Sequence, residues 1–229
     1  MTNILDHLKN KIIVSVQAMP SEPLYKEECI IAMMQSVLAG GASGLRLAGL
    51  RDVKNATKVT KFPIIGITKP DILPKNWKNI VYITPTMNDA RLLAEAGADI
   101  IAFDGTSRKR PDENLLQIID GINKLNKISM ADVATLEEGI MCRLLGADII
   151  STTLSGYTTE TEHKKTEKPD FDLLERLVKI LDCPIILEGR IWELDDIKKA
   201  FELCAHSVVI GSAITRPQLI TKRFVKSID

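Results

Sequence analysis

Two charged residues stand where apolar runs end: Lys69 directly after Ile65-Gly66-Ile67-Thr68, and Glu188 directly after Ile185-Ile186-Leu187. A third, Arg46, lies between Leu45 and Leu47. Charges this close to core-forming segments need a partner or a ligand, because an unpaired buried charge is very costly. A lysine and a glutamate can each take or give a proton. Held on opposite faces of one carbon, they would invert a C–H centre, one group removing the proton and the other returning it from behind. A buried Lys–Glu ion pair is the alternative reading. Other apolar runs also end in polar residues: Gln17, Asp104, Asp132, Thr152 with Thr153, and Gly211 with Ser212. Towards the C-terminus, Glu188-Gly189-Arg190 and Gly211-Ser212-Ala213-Ile214-Thr215-Arg216-Pro217 combine small residues with arginines. Small residues let backbone N–H groups close on an anion, the start of a following helix adds its positive end, and Arg216 supplies charge. Phosphate is the expected ligand, with Gly189, Gly211, Ser212 and Arg216 around it. Arg190 reads equally well as part of that site or as a solvated side chain.

The elements that would position these residues follow from periodicity. Short apolar or alternating runs occur at 12–17, 44–48, 64–68, 80–84, 99–103, 128–131, 148–153, 185–188 and 207–211. Most are separated by stretches with helical period, at 87–95, 115–125, 136–145, 171–181 and 194–203. Strand then helix, repeated, predicts a parallel sheet. Gly41-Ala42-Ser43, Gly97-Ala98-Asp99 and Gly146-Ala147-Asp148 recur between helix and strand, where a left-handed glycine ends the helix. Thr135-Leu136-Glu137-Glu138 reads as a capping box, Pro217 as a first-turn proline, and Pro63 and Pro184 as strand starts. Nine runs must be reconciled with eight. The stretch 70–79 holds two prolines and no helical period, too little for a parallel crossover, so Val81–Thr84 is expected to be a short accessory strand in the loop after strand three. The reading is α/β, a (β/α)₈ TIM barrel in one domain over residues 1–229, slightly under the usual size of about 250. An open doubly wound sheet is the fallback, but no glycine-rich phosphate loop of that fold follows the first strand. In the barrel, strands three and seven face each other, so Lys69 and Glu188 approach one mouth from opposite sides.

Composition narrows the partners. Thirty basic and thirty acidic residues cancel, leaving no positive field to gather nucleic acid or an anionic membrane. Apolar residues at 45% and charged residues at 26% match an ordinary globular chain, and no apolar run approaches the length of a membrane helix. The first ten residues lack the apolar core of a secretion signal, so a cytoplasmic protein is expected. Cys29, Cys142, Cys183 and Cys204 are widely spaced and read as buried thiols; His7, His163 and His206 show no metal-ligand spacing. No metal or cofactor is expected, and a homo-oligomer is left open. Two segments remain. The hydroxyl-rich stretch 155–164, containing Tyr157, reads as a lid or an exposed loop, and Arg108-Lys109-Arg110-Pro111 reads as solvated surface.

Seven segments, taken together and in order, resemble the N-acetylmannosamine-6-phosphate 2-epimerase family: Val14-Ser15-Val16-Gln17-Ala18 through Pro20, Ile65-Gly66-Ile67-Thr68-Lys69, Val81-Tyr82-Ile83-Thr84-Pro85-Thr86, Met130-Ala131-Asp132, residues 152–158, Glu188-Gly189-Arg190, and Gly211 through Pro217. The resemblance runs from about residue 11 to the C-terminus. It implies a ribulose-phosphate-binding-type barrel that interconverts N-acetylmannosamine 6-phosphate and N-acetylglucosamine 6-phosphate in sialic acid catabolism. It places Lys69 and Glu188 on the acid/base pair, Gln17, Arg46 and Asp132 on sugar contacts, and Gly211, Ser212 and Arg216 on the phosphate site. Thr153 and Tyr157 join the substrate-binding candidates. Two departures are visible: Phe103-Asp104-Gly105-Thr106 replaces a more usual Leu-Asp-Ala-Thr, and the loop 70–79 is long. The alternatives are a Schiff-base aldolase acting on a sugar phosphate, a non-catalytic sugar-phosphate-binding barrel, and a metal-assisted epimerase. The proposed pair meets one chemical difficulty. A base must be deprotonated near neutrality, whereas a neighbouring carboxylate raises a lysine's pKa and burial lowers it.

Overall fold

The computed structural model describes residues 2–164 and 167–228. Eight strands, β1 (Lys11–Val16), β2 (Gly44–Ala48), β3 (Ile64–Ile67), β4 (Ile100–Asp104), β5 (Ile128–Asp132), β6 (Ile149–Ser151), β7 (Ile185–Glu188) and β8 (Ser207–Ile210), close in sequence order into a barrel. Every neighbouring pair is parallel, and β8 returns to β1 with Val14 beside Ile210. The helices are α1 (Thr2–Leu8), α2 (Glu27–Ala39), α3 (Leu50–Val59), α4 (Met87–Ala96), α5 (Leu115–Lys124), α6 (Leu136–Leu144), α7 (Phe171–Ile180), α8 (Leu194–Glu202), α9 (Ser212–Thr215) and α10 (Pro217–Val225). No helix among the described residues is long and apolar enough to cross a membrane.

Side chains alternate across each strand, so one set fills the barrel and the other meets the helices. Leu45, Leu47, Phe103, Ala131, Ile150, Leu187 and Val208 pack outward with helix residues such as Ile30, Val53, Ile118 and Leu173. Ile13, Ile65, Ile67, Ala102, Met130, Ile149, Ile186 and Val209 form the inner cluster, stoppered from below by Leu8 of α1. The inward face, continued two residues at a time up each strand, brings Gln17, Arg46, Lys69, Asp132, Thr153 and Glu188 to the C-terminal end. The apolar interior thus carries a polar top layer, where such barrels place their chemistry.

Local signals hold the elements in place. Thr86, Asn114 and Thr135 cap α4, α5 and α6 through reciprocal boxes with Asp89, Gln117 and Glu138. Gly41, Gly97 and Gly146 adopt φ of 99°, 105° and 100° after their helices. At Gly97 a Cβ would stand 2.5 Å from the Thr57 methyl as well as in the left-handed region. Gly97→Ala is therefore expected to cost about 1–2 kcal/mol. Thermal melting followed by circular dichroism should show Tm lowered by roughly 2–8 °C.

The structure corrects one element. Residues 81–84 are not a strand; the loop after β3 makes a single 3₁₀ turn at Trp77–Asn79 and then an irregular extended run. That run wedges between the tops of β3 and β4. Ile83 accepts from the Asp104 N–H at 3.0 Å, the Thr84 N–H donates to the Thr68 carbonyl at 3.0 Å, and Thr84 takes φ of 42°. A β-branched residue in that region is strained by about 1–3 kcal/mol, and it ends any regular ladder. The cysteines also differ from expectation: Cys142 is buried, Cys29 and Cys183 are half-buried, and Cys204 is exposed.

Candidate active site

Arg46 is the centre of the polar layer. Its side chain is 1% exposed, and its fork meets Asp132 at 3.1 Å (Nη1–Oδ1) and 2.5 Å (Nη2–Oδ2). Nη1 also lies 2.8 Å from Glu188 Oε2. Burial opposes the guanidinium charge, but Asp132 and Glu188 outweigh it and hold the group cationic. Such a planar fork is the side chain suited to gripping carboxylates deep in a core.

Glu188 sits above this pair, 14% exposed. Burial and, to a lesser degree, the Asp132 charge push its carboxyl up to about 7, against the pull of Arg46. Thr153 Oγ1 lies 2.8 Å from Asp132 Oδ1 and 3.1 Å from Glu188 Oε2, and 2.8 Å from the Ser151 hydroxyl. One hydroxyl carries one proton, so it cannot donate fully to both carboxylates. The shorter contact is to Asp132, so Thr153 couples the two carboxylates rather than satisfying both. Thr152 fixes the end of β7, since its hydroxyl donates to the Glu188 carbonyl and accepts the Glu188 N–H, both at 3.1 Å.

Lys69 projects from the other side. Its Nζ donates to Gln17 Oε1 at 2.7 Å, and the Gln17 amide donates in turn to Ser15 Oγ at 2.8 Å. Burial, joined by the Arg46 charge, pulls the lysine down to about 8 despite Glu188. The difficulty raised by the sequence is thereby answered: desolvation and a buried guanidinium exceed the carboxylate's opposite effect.

Lys69 and Glu188 line one cavity of about 610 Å³ at the top of the barrel. Gln17, Thr153, Tyr157, Gly189, Arg190, Gly211, Ser212 and Arg216 share its walls. Arg46 and Asp132, 1% and 0% exposed, are not in that lining and contact it through Glu188 and Thr153. Arg190 is committed elsewhere, with Nε donating to the Lys168 carbonyl at 2.8 Å and Nη1 to the Ser155 carbonyl at 2.7 Å, and its guanidinium over the Tyr157 ring. Arg216 stands at the rim, ion-paired with Glu22. The hydroxyl-rich loop lies against the 3₁₀ turn across the mouth: Thr159 donates through N to the Lys78 carbonyl at 3.3 Å and through Oγ1 to Asn79 at 2.6 Å.

Some participants were not foreseen. Trp77, Tyr82 and Trp192 add an aromatic wall to the cavity. Trp77 falls in a proline-bounded stretch without period, which gives no sequence signal. The basic cluster is not solvated as a whole. Arg108 is only 10% exposed, pairs with the buried Asp104 at 2.5 Å, and donates to the Trp77 and Lys78 carbonyls, tying the wall to β4. The Arg110 side-chain nitrogens are buried beside the Phe103 ring. The available signal was Asp104, four residues before Arg108. Among the described residues no three His, Cys, Asp or Glu side chains gather in an arrangement that could hold a metal ion.

The family model described as "Putative N-acetylmannosamine-6-phosphate epimerase" matches residues 30–229. A Clostridioides difficile protein named "Putative N-acetylmannosamine-6-phosphate 2-epimerase" is 45% identical over 228 residues, covering 99% of each chain. A namesake from Caldanaerobacter subterraneus is 42% identical and covers 97% of this chain and 93% of its own. The solved structure of the N-acetylmannosamine-6-phosphate 2-epimerase from Clostridium perfringens superposes with a TM-score of 0.90 at 44% identity, over 97% of this chain and 95% of that one. A thiamine phosphate pyrophosphorylase from Pyrococcus furiosus, 15% identical with a TM-score of 0.62 over 97% and 98% of the two chains, shares the fold alone. The chain belongs to the N-acetylmannosamine-6-phosphate 2-epimerase family.

Proposed function

We propose that this chain interconverts N-acetylmannosamine 6-phosphate and N-acetylglucosamine 6-phosphate, with Lys69 and Glu188 as its acid/base pair. The observation that carries the reading is a lysine and a glutamate on facing strands of one cavity, where burial pulls the lysine down and pushes the glutamate up. In the open-chain sugar the C1 aldehyde acidifies the proton on C2. One group removes that proton, the C2–H electrons move into the C1–C2 bond, and the carbonyl oxygen gains negative charge. Reprotonation of the flat C2 from the other face yields the epimer, with no net oxidation. When Glu188 takes the proton, the Lys69 ammonium faces the enolate, stabilises it and delivers a proton. In the reverse sense neutral Lys69 removes the proton and protonated Glu188 supplies one.

Gly211 and Ser212, with the first-turn N–H groups of α9, and Arg216 at the rim would hold the phosphate. Gly189 lets the chain turn at φ of 109° behind Glu188. Arg190 is assigned to bracing the loop of Tyr157 over the sugar. Arg46 and Asp132 set the charge state of Glu188, and Gln17 and Thr153 orient the pair. Because a charged sugar phosphate is retained inside cells, we place the reaction in the cytoplasm.

Proton NMR of the purified protein with N-acetylmannosamine 6-phosphate should show N-acetylglucosamine 6-phosphate accumulating to equilibrium; absence of that product refutes the reading. A lysine of lowered pKa would also suit Schiff-base chemistry. Borohydride with substrate present is therefore expected to leave Lys69 unmodified. The pH dependence is specific too. Turnover needs one group protonated and the other not, so kcat/KM should be bell-shaped, with macroscopic limbs near pH 7 and pH 8. Either assignment of base gives this shape. It should fall about tenfold per pH unit beyond each limb. A flat profile from pH 6 to 9 in steady-state assays would count against the pair.

A further inference from the structure

In the motif Tyr82-Ile83-Thr84-Pro85-Thr86, Tyr82 joins the cavity wall and Thr86 caps α4, but the central Thr84 has no role in the site as described, and it is a β-branched residue held at positive φ. Thr84 is fully buried, has φ of 42° and precedes a proline, which narrows its conformational choices further. It sits where a sheet interaction is missing. β4 and β5 pair over five residues from Ile100↔Ile128 to Asp104↔Asp132, whereas β3 and β4 pair only at Ile65↔Ile100 and Gly66↔Ile101. Above Gly66 the strand end that carries Lys69 has lost its β4 neighbour.

Thr84 fills that gap. Its N–H donates to the Thr68 carbonyl at 3.0 Å, its Oγ1 accepts the Thr68 N–H at 3.2 Å, and the same hydroxyl donates to the Ala102 carbonyl of β4 at 2.7 Å. The Thr68 hydroxyl donates to Asp89 Oδ1 at 2.9 Å. Thr68 therefore has N–H, C=O and hydroxyl all fixed, one residue before the lysine. Only a residue with both a backbone turned by positive φ and a short hydroxyl completes this bracket to β4. Strain retained at such a point is characteristic of functional positions.

We infer that Thr84 is a positioning residue for Lys69, acting through its hydroxyl and its left-handed backbone to hold the end of β3 against β4. The inference rests on the epimerase reading for its kinetic consequences. Thr84→Gly separates stability from positioning, because glycine relieves the φ strain while removing the acceptor for the Thr68 N–H. It is expected to keep Tm within a few degrees of wild type, to lower kcat about 10- to 100-fold with KM changed less than about threefold, and to move the alkaline limb above its wild-type position. Thr84→Ser keeps the hydroxyl and should retain at least about a third of wild-type kcat and the unmoved limb. Wild-type kcat and limb in Thr84→Gly, or equal impairment of Thr84→Ser, would overturn the inference. The lysine's titration can also be followed without turnover, by NMR of the reductively methylated protein, with the Lys69 signal assigned by its absence from Lys69→Met. An upward shift in Thr84→Gly supports the positioning role and an unmoved titration refutes it. An inactive wild type would instead strike at the functional reading.

Discussion

Lys69→Met is expected to lower kcat by about a thousand-fold or more while leaving a protein at least as stable as wild type near neutral pH. Glu188→Gln should be comparably slow. The stability half follows from the sign of the lysine's shift. Its pKa falls from 10.5 to about 8 on folding. Folding therefore disfavours the ammonium; the cost is absent above pH 10.5, grows as pH falls from 10.5 to about 8, and is fully present below that. A thioether of similar length removes that cost along with the chemistry, a trade common at active sites. Glu188 has the opposite sense. Raised from 4.5 to about 7, it disfavours the folded protein as pH rises through that interval, so Glu188→Gln should gain stability above pH 7 and none below pH 4.5. Urea unfolding at pH 5, 7 and 9 beside steady-state assays checks both halves. An inactive but destabilised Lys69→Met would mean that the lysine serves the fold.

Arg46→Met should have the largest effect on stability, roughly 3–5 kcal/mol, because it leaves Asp132 and Glu188 buried without their cation. For a chain of this size that lowers Tm by about 6–20 °C. Wherever the variant remains folded, the Glu188 pKa should rise further, since Arg46 is the main influence holding it down. The acidic limb of kcat/KM then moves to higher pH. The double variant Arg46→Met/Asp132→Leu, which removes the opposite charge as well, should recover much of the lost Tm without recovering activity. Additive losses in the double variant would show that the fork between Arg46 and Asp132 contributes little coupling energy.

The barrel was legible because its signals are local. Glycines at 41, 97 and 146 end helices by backbone conformation alone, and the alternation of Leu45 and Leu47 around Arg46 says that the arginine faces away from the outer helices. Where that face leads is not local. Asp132 lies on β5 and Glu188 on β7, and their meeting with an arginine on β2 requires the closed circle. For the same reason the sequence could place Lys69 and Glu188 on opposite sides of a mouth but could not decide how far burial would outweigh their attraction. The segment 81–84 failed in a different way. Its apolar pattern is that of a strand, but pattern does not register that β3 and β4 leave room only for a wedge, or that a threonine would accept positive φ to fill it. Arg108 and Arg110 depart from the rule that a short basic cluster faces solvent, because the buried Asp104 draws one inward and the ring of Phe103 shelters the other.

The central claim, two proton-transfer groups acting on one sugar carbon, is tested most directly by following hydrogen at C2 in heavy water. With the wild-type protein, N-acetylmannosamine 6-phosphate should return as both epimers carrying deuterium at C2 and nowhere else. With Glu188→Gln, exchange at C2 of one epimer should outrun inversion. Product that keeps its original C2 hydrogen, or a Glu188→Gln variant that inverts at the wild-type rate, would contradict it.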